Sequence, residues 1–326
     1  MSTPPLAERG PGAPVAGACD ERFIGVQHAL AALLEGVDIG ASVAVYLDGE
    51  PVVDLWGGFA DQTGTTLWER DTITCTFSVT KTMTSLCALV LADRGDFDLH
   101  KPVAHYWPEF AAAGKEAIEV RHLLGHTAGL ARWAGPMNIE DVYDWGSSTA
   151  RLAAQAPQWE PGTVSGYHAL TFGHLVGEVV RRVSGRSLGA FFAEEIAGPL
   201  HADFHIGLAA KHDSRVSLAI ADPDRAMADL ENQLLAQIWG DPAYDVDTAA
   251  TLKWRRAEVP AGNGFGNARS VAAIQSVLAC GGEARGVRLL SEQGCNAVFE
   301  EQAHGTDRCL GVPLRLGMGY GLPSTT

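Results

Sequence analysis

Residues 74–95 read TCTFSVTKTMTSLCALVLADRG, and this stretch decides how the rest of the chain is read. Met83, Leu86, Cys87, Val90 and Leu91 fall at the i, i+3, i+4, i+7, i+8 spacing of a helix, which predicts a helix from Ser78 to Arg94 closed by Gly95. Ala88, Leu89 and Ala92 fill the other faces, so this helix is expected to be buried nearly all round. At its head stands Ser78-Val79-Thr80-Lys81, a serine and a lysine three residues apart. Positions i and i+3 share a helix face, so the hydroxyl and the amine point the same way. The serine N–H leaves the helix N-terminus, where the dipole favours negative charge. Serine attacks only when a base takes its proton, and a lysine with no solvent side has its pKa lowered by desolvation and can be that base. By itself S-x-x-K is common, and an N-cap serine beside a solvated lysine would produce the same letters.

Upstream, residues 41–58 read ASVAVYLDGEPVVDLWGG. Two apolar runs flank Asp48-Gly49, a dipeptide that accepts positive φ, and this predicts a β-hairpin. Before it, Phe23, Val26, Leu30, Leu33 and Leu34 form the stripe of an amphipathic helix. Residues 1–20, rich in Pro, Gly and Ala, are expected to be a loose arm. Downstream, residues 117–200 read as mainly helical with a loop around Pro157 to Gly166. Amphipathic helices are expected at 171–183 and 188–197, a less regular stretch at 214–262, a helix near 268–280 and a short strand at Val287 to Leu290. Leu314, Leu316, Met318, Tyr320 and Leu322 alternate with Arg315, Gly317, Gly319 and Gly321, the pattern of a half-buried strand.

Hydrophobic residues make up 46% of the 326, enough for a large buried core. A net charge of −15 repels phosphate backbones, which argues against a nucleic-acid partner. The cysteines at 19, 75, 87, 280, 295 and 309 form no CxxC pair or zinc pattern and read as reduced thiols of a cytoplasmic protein. The N-terminal segment lacks the apolar core of a signal peptide, and the longest apolar run, Leu86 to Ala92, is too short to span a bilayer.

Other words along the chain carry a resemblance. Trp68-Glu69-Arg70-Asp71-Thr72 with Phe77-Ser78-Val79-Thr80-Lys81, then Arg121 to Leu130 (RHLLGHTAGL), resemble the corresponding words of family VIII carboxylesterases, which share the class C β-lactamase fold. The likeness continues through Glu160-Pro161-Gly162, Gly166-Tyr167-His168-Ala169, Pro199-Leu200, Asn263-Gly264 and Ala268-Arg269-Ser270, covering roughly residues 25–322 in order. S-x-x-K is also the nucleophile motif of class A β-lactamases and penicillin-binding proteins.

The resemblance implies an α/β (α+β) unit of the β-lactamase/transpeptidase kind spanning 21–326. An antiparallel sheet flanked by helices would come from about 21–110 and 250–326, with a mainly helical lobe inserted at about 110–250. It implies a Ser78–Lys81–Tyr167 centre, in which Ser78 is acylated and Tyr167 carries the proton, and it implies no cofactor or metal. A phenol, with an ordinary pKa near ~10, needs a cation such as Lys81 beside it to act as a base at neutral pH, and the two roles can be shared between coupled groups. Without Ser78, Tyr167 would read as an aromatic core residue.

Two departures stand out. Where class C β-lactamases carry an Asn two places after the tyrosine, this chain has Ala169, which favours esters over β-lactams. The K-T-G or H-x-G word of the family's third element is not found after Gly319-Tyr320-Gly321-Leu322. On that ground a chain shortened at its C-terminus is expected, lacking one oxyanion donor at a cost on the order of 10²–10³ in rate. The leading expectation is hydrolysis of small carboxylic esters. A D-peptidase or weak β-lactamase acting on an amide is the enzymatic rival, and a catalytically impaired family member or binding scaffold is the non-enzymatic one.

Three further patterns read as structural. Gly185-Arg186-Ser187-Leu188-Gly189 fits G-x-S-x-G, but a helix precedes it where a nucleophile elbow needs a strand, so Ser187 reads as an N-cap. His122 and His126 have i, i+4 spacing without a carboxylate in register, and Asp222, Asp224 and Glu231 read as a solvated face.

Overall fold

The computed structural model describes residues 14–36, 38–220 and 241–324. The chain opens with strand β1 (Ala16–Cys19), helix α1 (Ile24–Gly36) and the hairpin β2 (Gly40–Leu47) and β3 (Glu50–Gly58). Asp48 (φ 52°) and Gly49 (φ 81°) both take positive φ at the hairpin tip, the backbone that the dipeptide favours. The three strands form an antiparallel sheet in the order β1-β3-β2. Residues 16–19 are therefore not part of a loose arm, because they pair with Val53–Trp56 along the outer edge of β3; residues 1–13 lie outside the described residues. Pleating divides the sheet's side chains. Val53 and Leu55 join Leu30 and Leu34 of α1 in one small core, with Ala41, Val43 and Val45 packed against it. Leu33, expected in the apolar stripe, is 44% exposed.

The opposite face of the sheet carries Ser42 and Asp54, which bond to Ala268 N and Arg269 at the head of the late helix. The expectation of a sheet built from both chain ends needs correction. Among the described residues its strands come from the first 58 residues alone, and the C-terminal part covers it with a helix. A second sheet, in the order β5-β7-β4-β6, joins β4 (Ile73–Cys75), β5 (Phe204–Ile206), β6 (Val216–Ser217) and β7 (Gly264–Gly266). It is mixed, since β4 runs parallel to β6 and antiparallel to β7.

Helix α2 (Thr80–Asp93) is the spine of the molecule. Met83, Leu86, Cys87 and Val90 have no exposed surface, and each apolar side chain so buried stabilises by about 1.5–3 kcal/mol relative to exposure. The helix begins two residues later than the periodicity predicts, because Ser78 and Val79 form a preceding turn. It ends in a Schellman motif, with Gly95 N donating to Ala92 O and Asp96 N to Leu91 O.

The helical stretch follows, with α3 (Val120–Leu124), α4 (Trp145–Ala154), α5 (Thr171–Ser184) and α6 (Leu188–Phe192). It shares one continuous core with α2 and β4. α5 has the expected amphipathic pattern but lies deeper than that pattern requires, since every residue from Thr171 to Val180 is buried. α7 (Ala268–Ala279) precedes the small hairpin of β8 (Glu283–Ala284) and β9 (Val287–Arg288), and β10 (Ala303–Thr306) pairs with β11 (Pro313–Leu316). The alternating C-terminal pattern is a strand only over Pro313–Leu316. The chain then turns, Gly317 N donating to Tyr320 O, while Met318 is buried and the Tyr320 hydroxyl donates to Thr82 O. Asp222, Asp224 and Glu231 lie outside the described residues.

Candidate active site

β4 delivers the chain to Thr76, whose N–H and hydroxyl both donate to Gly264 O on β7. The next residue, Phe77, sits at φ 44° and bridges to Asn263. A bulky residue in the left-handed region is strained and persists only where its surroundings hold it. Here the holding groups are visible: Thr80 N and Thr80 Oγ1 both donate to Phe77 O, and Gly264 N donates to Thr80 Oγ1. Ser78 follows this kink as the first residue of the turn that enters α2. Among the described residues, its own N–H finds no hydrogen-bond acceptor.

Lys81 N donates to Ser78 O, so the turn brings the two side chains together. Lys81 Nζ lies 3.1 Å from Ser78 Oγ, 2.8 Å from Ala169 O and 2.9 Å from Ala261 O. Only 5% of Lys81 is exposed. Burial pushes its pKa down from 10.5, and the neighbouring Tyr167 partly opposes that shift. An ammonium would donate to all three acceptors. A neutral amine can keep two N–H bonds on the carbonyls and turn its lone pair to the serine hydroxyl, the arrangement a general base requires.

The Tyr167 hydroxyl lies 2.8 Å from the same Ser78 Oγ, and Lys81 Nζ lies 4.6 Å from the centre of its ring. The three predicted residues therefore meet at one oxygen. Tyr167 packs against a small cluster of Ala131, Trp159, Ala169 and Cys309. Ala169 has an unanticipated part in the site: its methyl group cannot hydrogen-bond, but its backbone carbonyl holds Lys81.

The histidines near the site are structural. His126 Nδ1 accepts from His168 N, and its ring lies 5.1 Å from that of Tyr167. His168 Nε2 accepts from Leu130 N while Nδ1 faces Gly166 O, which fixes a neutral tautomer. Burial pulls the pKa of His168 down to about 4 and that of His126 well below its ordinary value. His122 closes a capping box at the start of α3 through Glu119 N. Ser187 is an N-cap, accepting from Ala190 N while its hydroxyl donates to Glu258.

The sequence profile described as Beta-lactamase matches residues 27–326. The chain belongs to the β-lactamase family. A relative from Mycobacterium tuberculosis (strain ATCC 25618 / H37Rv), the esterase/β-lactamase LipL, is 38% identical over 324 residues, spanning 95% of this chain and 75% of that protein. The crystal structure of a family VIII carboxylesterase matches with a TM-score of 0.90 at 41% identity, covering 95% of this chain and 84% of that one. A penicillin-binding protein homologue from Caulobacter crescentus matches at 0.87 and 35%, covering 94% and 82%. Serine hydrolysis on a β-lactamase/transpeptidase fold is thus this chain's class of chemistry. Among the described residues, no helix is long and apolar enough to cross a membrane, and no group of three or more His, Cys, Asp or Glu could hold a metal ion.

Proposed function

We propose that this serine hydrolase cleaves small carboxylic esters through an acyl-Ser78 intermediate, with Lys81 and Tyr167 moving the proton. The observation that carries the reading is the convergence on Ser78 Oγ of Lys81 Nζ at 3.1 Å and Tyr167 OH at 2.8 Å. Lys81, as neutral amine, takes the hydroxyl proton while Ser78 Oγ bonds to the ester carbonyl carbon. The carbonyl oxygen gains the electron pair, and the unengaged Ser78 N–H is one donor for it at the positive end of α2. As the intermediate collapses, the ester C–O bond breaks and the departing alkoxide takes the Tyr167 proton, which the Lys81 ammonium replaces. In deacylation a water loses its proton to the same pair, its oxygen bonds to the acyl carbon, and Ser78 Oγ leaves with the returned proton. The sum is ester plus water to acid plus alcohol.

Ester preference rests on Ala169, whose methyl offers no hydrogen bond to the amide side chain of a β-lactam. Lactam turnover is a second reading, favoured by the double designation of the LipL relative. A reducing, cytoplasmic setting fits six cysteines that are all free thiols. The test is intact mass after a fluorophosphonate probe, with Ser78→Ala as control, followed by p-nitrophenyl butyrate and a chromogenic cephalosporin as rival substrates. One adduct mapped to Ser78 and lost in the variant, with faster ester than lactam turnover, is the expected result. A folded protein that takes no adduct would end the acyl-serine reading, and faster lactam turnover would exchange the two substrate classes.

A further inference from the structure

The Tyr167 phenol can serve Ser78 only if the short loop that carries it is held still, and no secondary-structure element does this. Residues 160–170 form neither helix nor strand. His126 ties the neighbours of Tyr167, its carbonyl accepting from Gly166 N and its Nδ1 from His168 N, but the bond to Tyr167 itself comes from far along the chain, from the connection between β10 and β11. There Asp307 is fully buried, and its Oδ1 accepts three backbone N–H groups: Tyr167 N at 3.0 Å, Cys309 N at 2.9 Å and Leu310 N at 3.0 Å. Oδ2 is buried and has no hydrogen-bond partner among the described residues. The neighbouring Arg308 N donates to Ser165 O at 2.9 Å, a second main-chain tie between the same two loops. The packing leaves no slack, since a Cβ on Gly166 would stand 2.4 Å from the Trp159 ring and 2.9 Å from Cys309 Sγ.

The geometry has an asymmetry that points to function. The bonds to Cys309 and Leu310 build a local turn of the kind an Asp makes two and three residues ahead of itself. The bond to Tyr167 spans 140 residues and adds nothing to that turn. A buried carboxyl oxygen without a partner is costly, so the placement of this side chain needs a return that the local turn does not supply. From this we infer that Asp307 is a positioning residue: its carboxylate clamps the backbone of Tyr167 and so sets the phenol at hydrogen-bonding distance from Ser78. Asp307 touches neither Ser78 nor Lys81, and it acts through Tyr167 alone. The inference rests on the proposed role of Tyr167 as proton carrier.

The experiment is a double-mutant cycle on the full chain, reading kcat and KM for p-nitrophenyl butyrate. The variants are Asp307→Ala, Asp307→Asn, Asp307→Ser, Tyr167→Phe and the pair Asp307→Ala/Tyr167→Phe. Asp307→Ala is expected to lower kcat about 10- to 100-fold with KM changed less than about threefold, a shift of reacting groups and not of substrate binding. Asn keeps an acceptor at Oδ1 and is expected to stay within about threefold of the unaltered chain. Ser can rebuild the local turn but is too short to reach Tyr167, and is expected to fall with Ala. In the Tyr167→Phe background, removing Asp307 is expected to cost nothing further. A loss of the same factor in both backgrounds, or a Ser variant as active as Asn, would overturn the clamp while leaving the Ser–Lys–Tyr reading intact. If Asp307→Ala does not fold, the Asn and Ser variants decide between the same outcomes. A Tyr167→Phe chain at full rate would remove the proton-carrier reading itself and this inference with it.

Discussion

Replacing Lys81 by Met should separate catalysis from stability. Met keeps the length and apolar stem of lysine but supplies no proton donor or acceptor of use. Two buried carbonyls, Ala169 O and Ala261 O, lose their N–H donor, at about 1–3 kcal/mol each, so about 2–6 kcal/mol together. Against this, the native chain no longer carries an amine whose ionised form costs several kcal/mol to hold away from water. The two effects are of similar size and opposite sign. The melting temperature should therefore move by no more than about 5 °C, since 1 kcal/mol corresponds to roughly 2–4 °C in chains somewhat smaller than this one. Acylation should fall by about 10²–10⁴, the usual contribution of a general base, equivalent to about 3–5 kcal/mol of barrier.

The pH dependence adds a check on sign. Burial lowers the folded pKa of Lys81 below its ordinary 10.5, so the neutral, base-competent form grows as pH rises through that lowered value. The unfolded chain holds the extra proton between the lowered pKa and 10.5, so stability also rises with pH across that window. In Lys81→Met both dependences should flatten. The assay is the rate of fluorophosphonate labelling at Ser78 from pH 6 to 10, alongside thermal melting. Labelling within tenfold of the unaltered chain, on a protein that melts normally, would refute the assignment of Lys81 as base.

Other outcomes follow from the same contacts. His168 and His174 are buried, and burial pulls both pKa values to about 4 from 6.5. The unfolded chain therefore binds their protons first, and stability should fall by ~1.4 kcal/mol per histidine for each pH unit between 6.5 and 4. Urea unfolding at pH 7, 5.5 and 4.5 measures this, and a flat profile would contradict the buried neutral tautomers. Gly166→Ala drives a methyl into Trp159 and Cys309; it should destabilise by about 1–3 kcal/mol and slow ester turnover, read by melting and kcat together. Ser187→Ala removes the N-cap of α6 and should cost about 1 kcal/mol while leaving the labelling rate unchanged, which separates its G-x-S-x-G setting from catalysis.

Much of the site was legible because its chemistry is local or carried by recognisable words. Ser78 and Lys81 are three residues apart on an apolar segment, and that spacing brings amine and hydroxyl together whatever the rest of the chain does. Asp48-Gly49 fixes its hairpin for a similarly local reason, the tolerance of both residues for positive φ. Tyr167 is different: as an isolated residue it read as core, and only the words around it, with their order along the chain, singled it out. The clamp on that tyrosine was not legible. Asp307 has an ordinary turn signature, and its long-range bond depends on how β10 and β11 fold back onto the 160–170 loop. Residues 16–19 read as loose because an edge strand of Ala, Gly and Cys has little intrinsic signal, and pairing with β3 supplies what the sequence lacks. The alternating C-terminus misled for the opposite reason: its period was that of a strand, but burial of Met318 and the tyrosine bond to Thr82 bend it into a turn. Sequence alone determined the hairpin, the central helix and the approach of Ser78 to Lys81, because periodicity and short spacing are properties of a segment. Tertiary structure decided which carbonyls hold Lys81 and which carboxylate holds Tyr167, because those partners are distant in sequence and are selected only by packing.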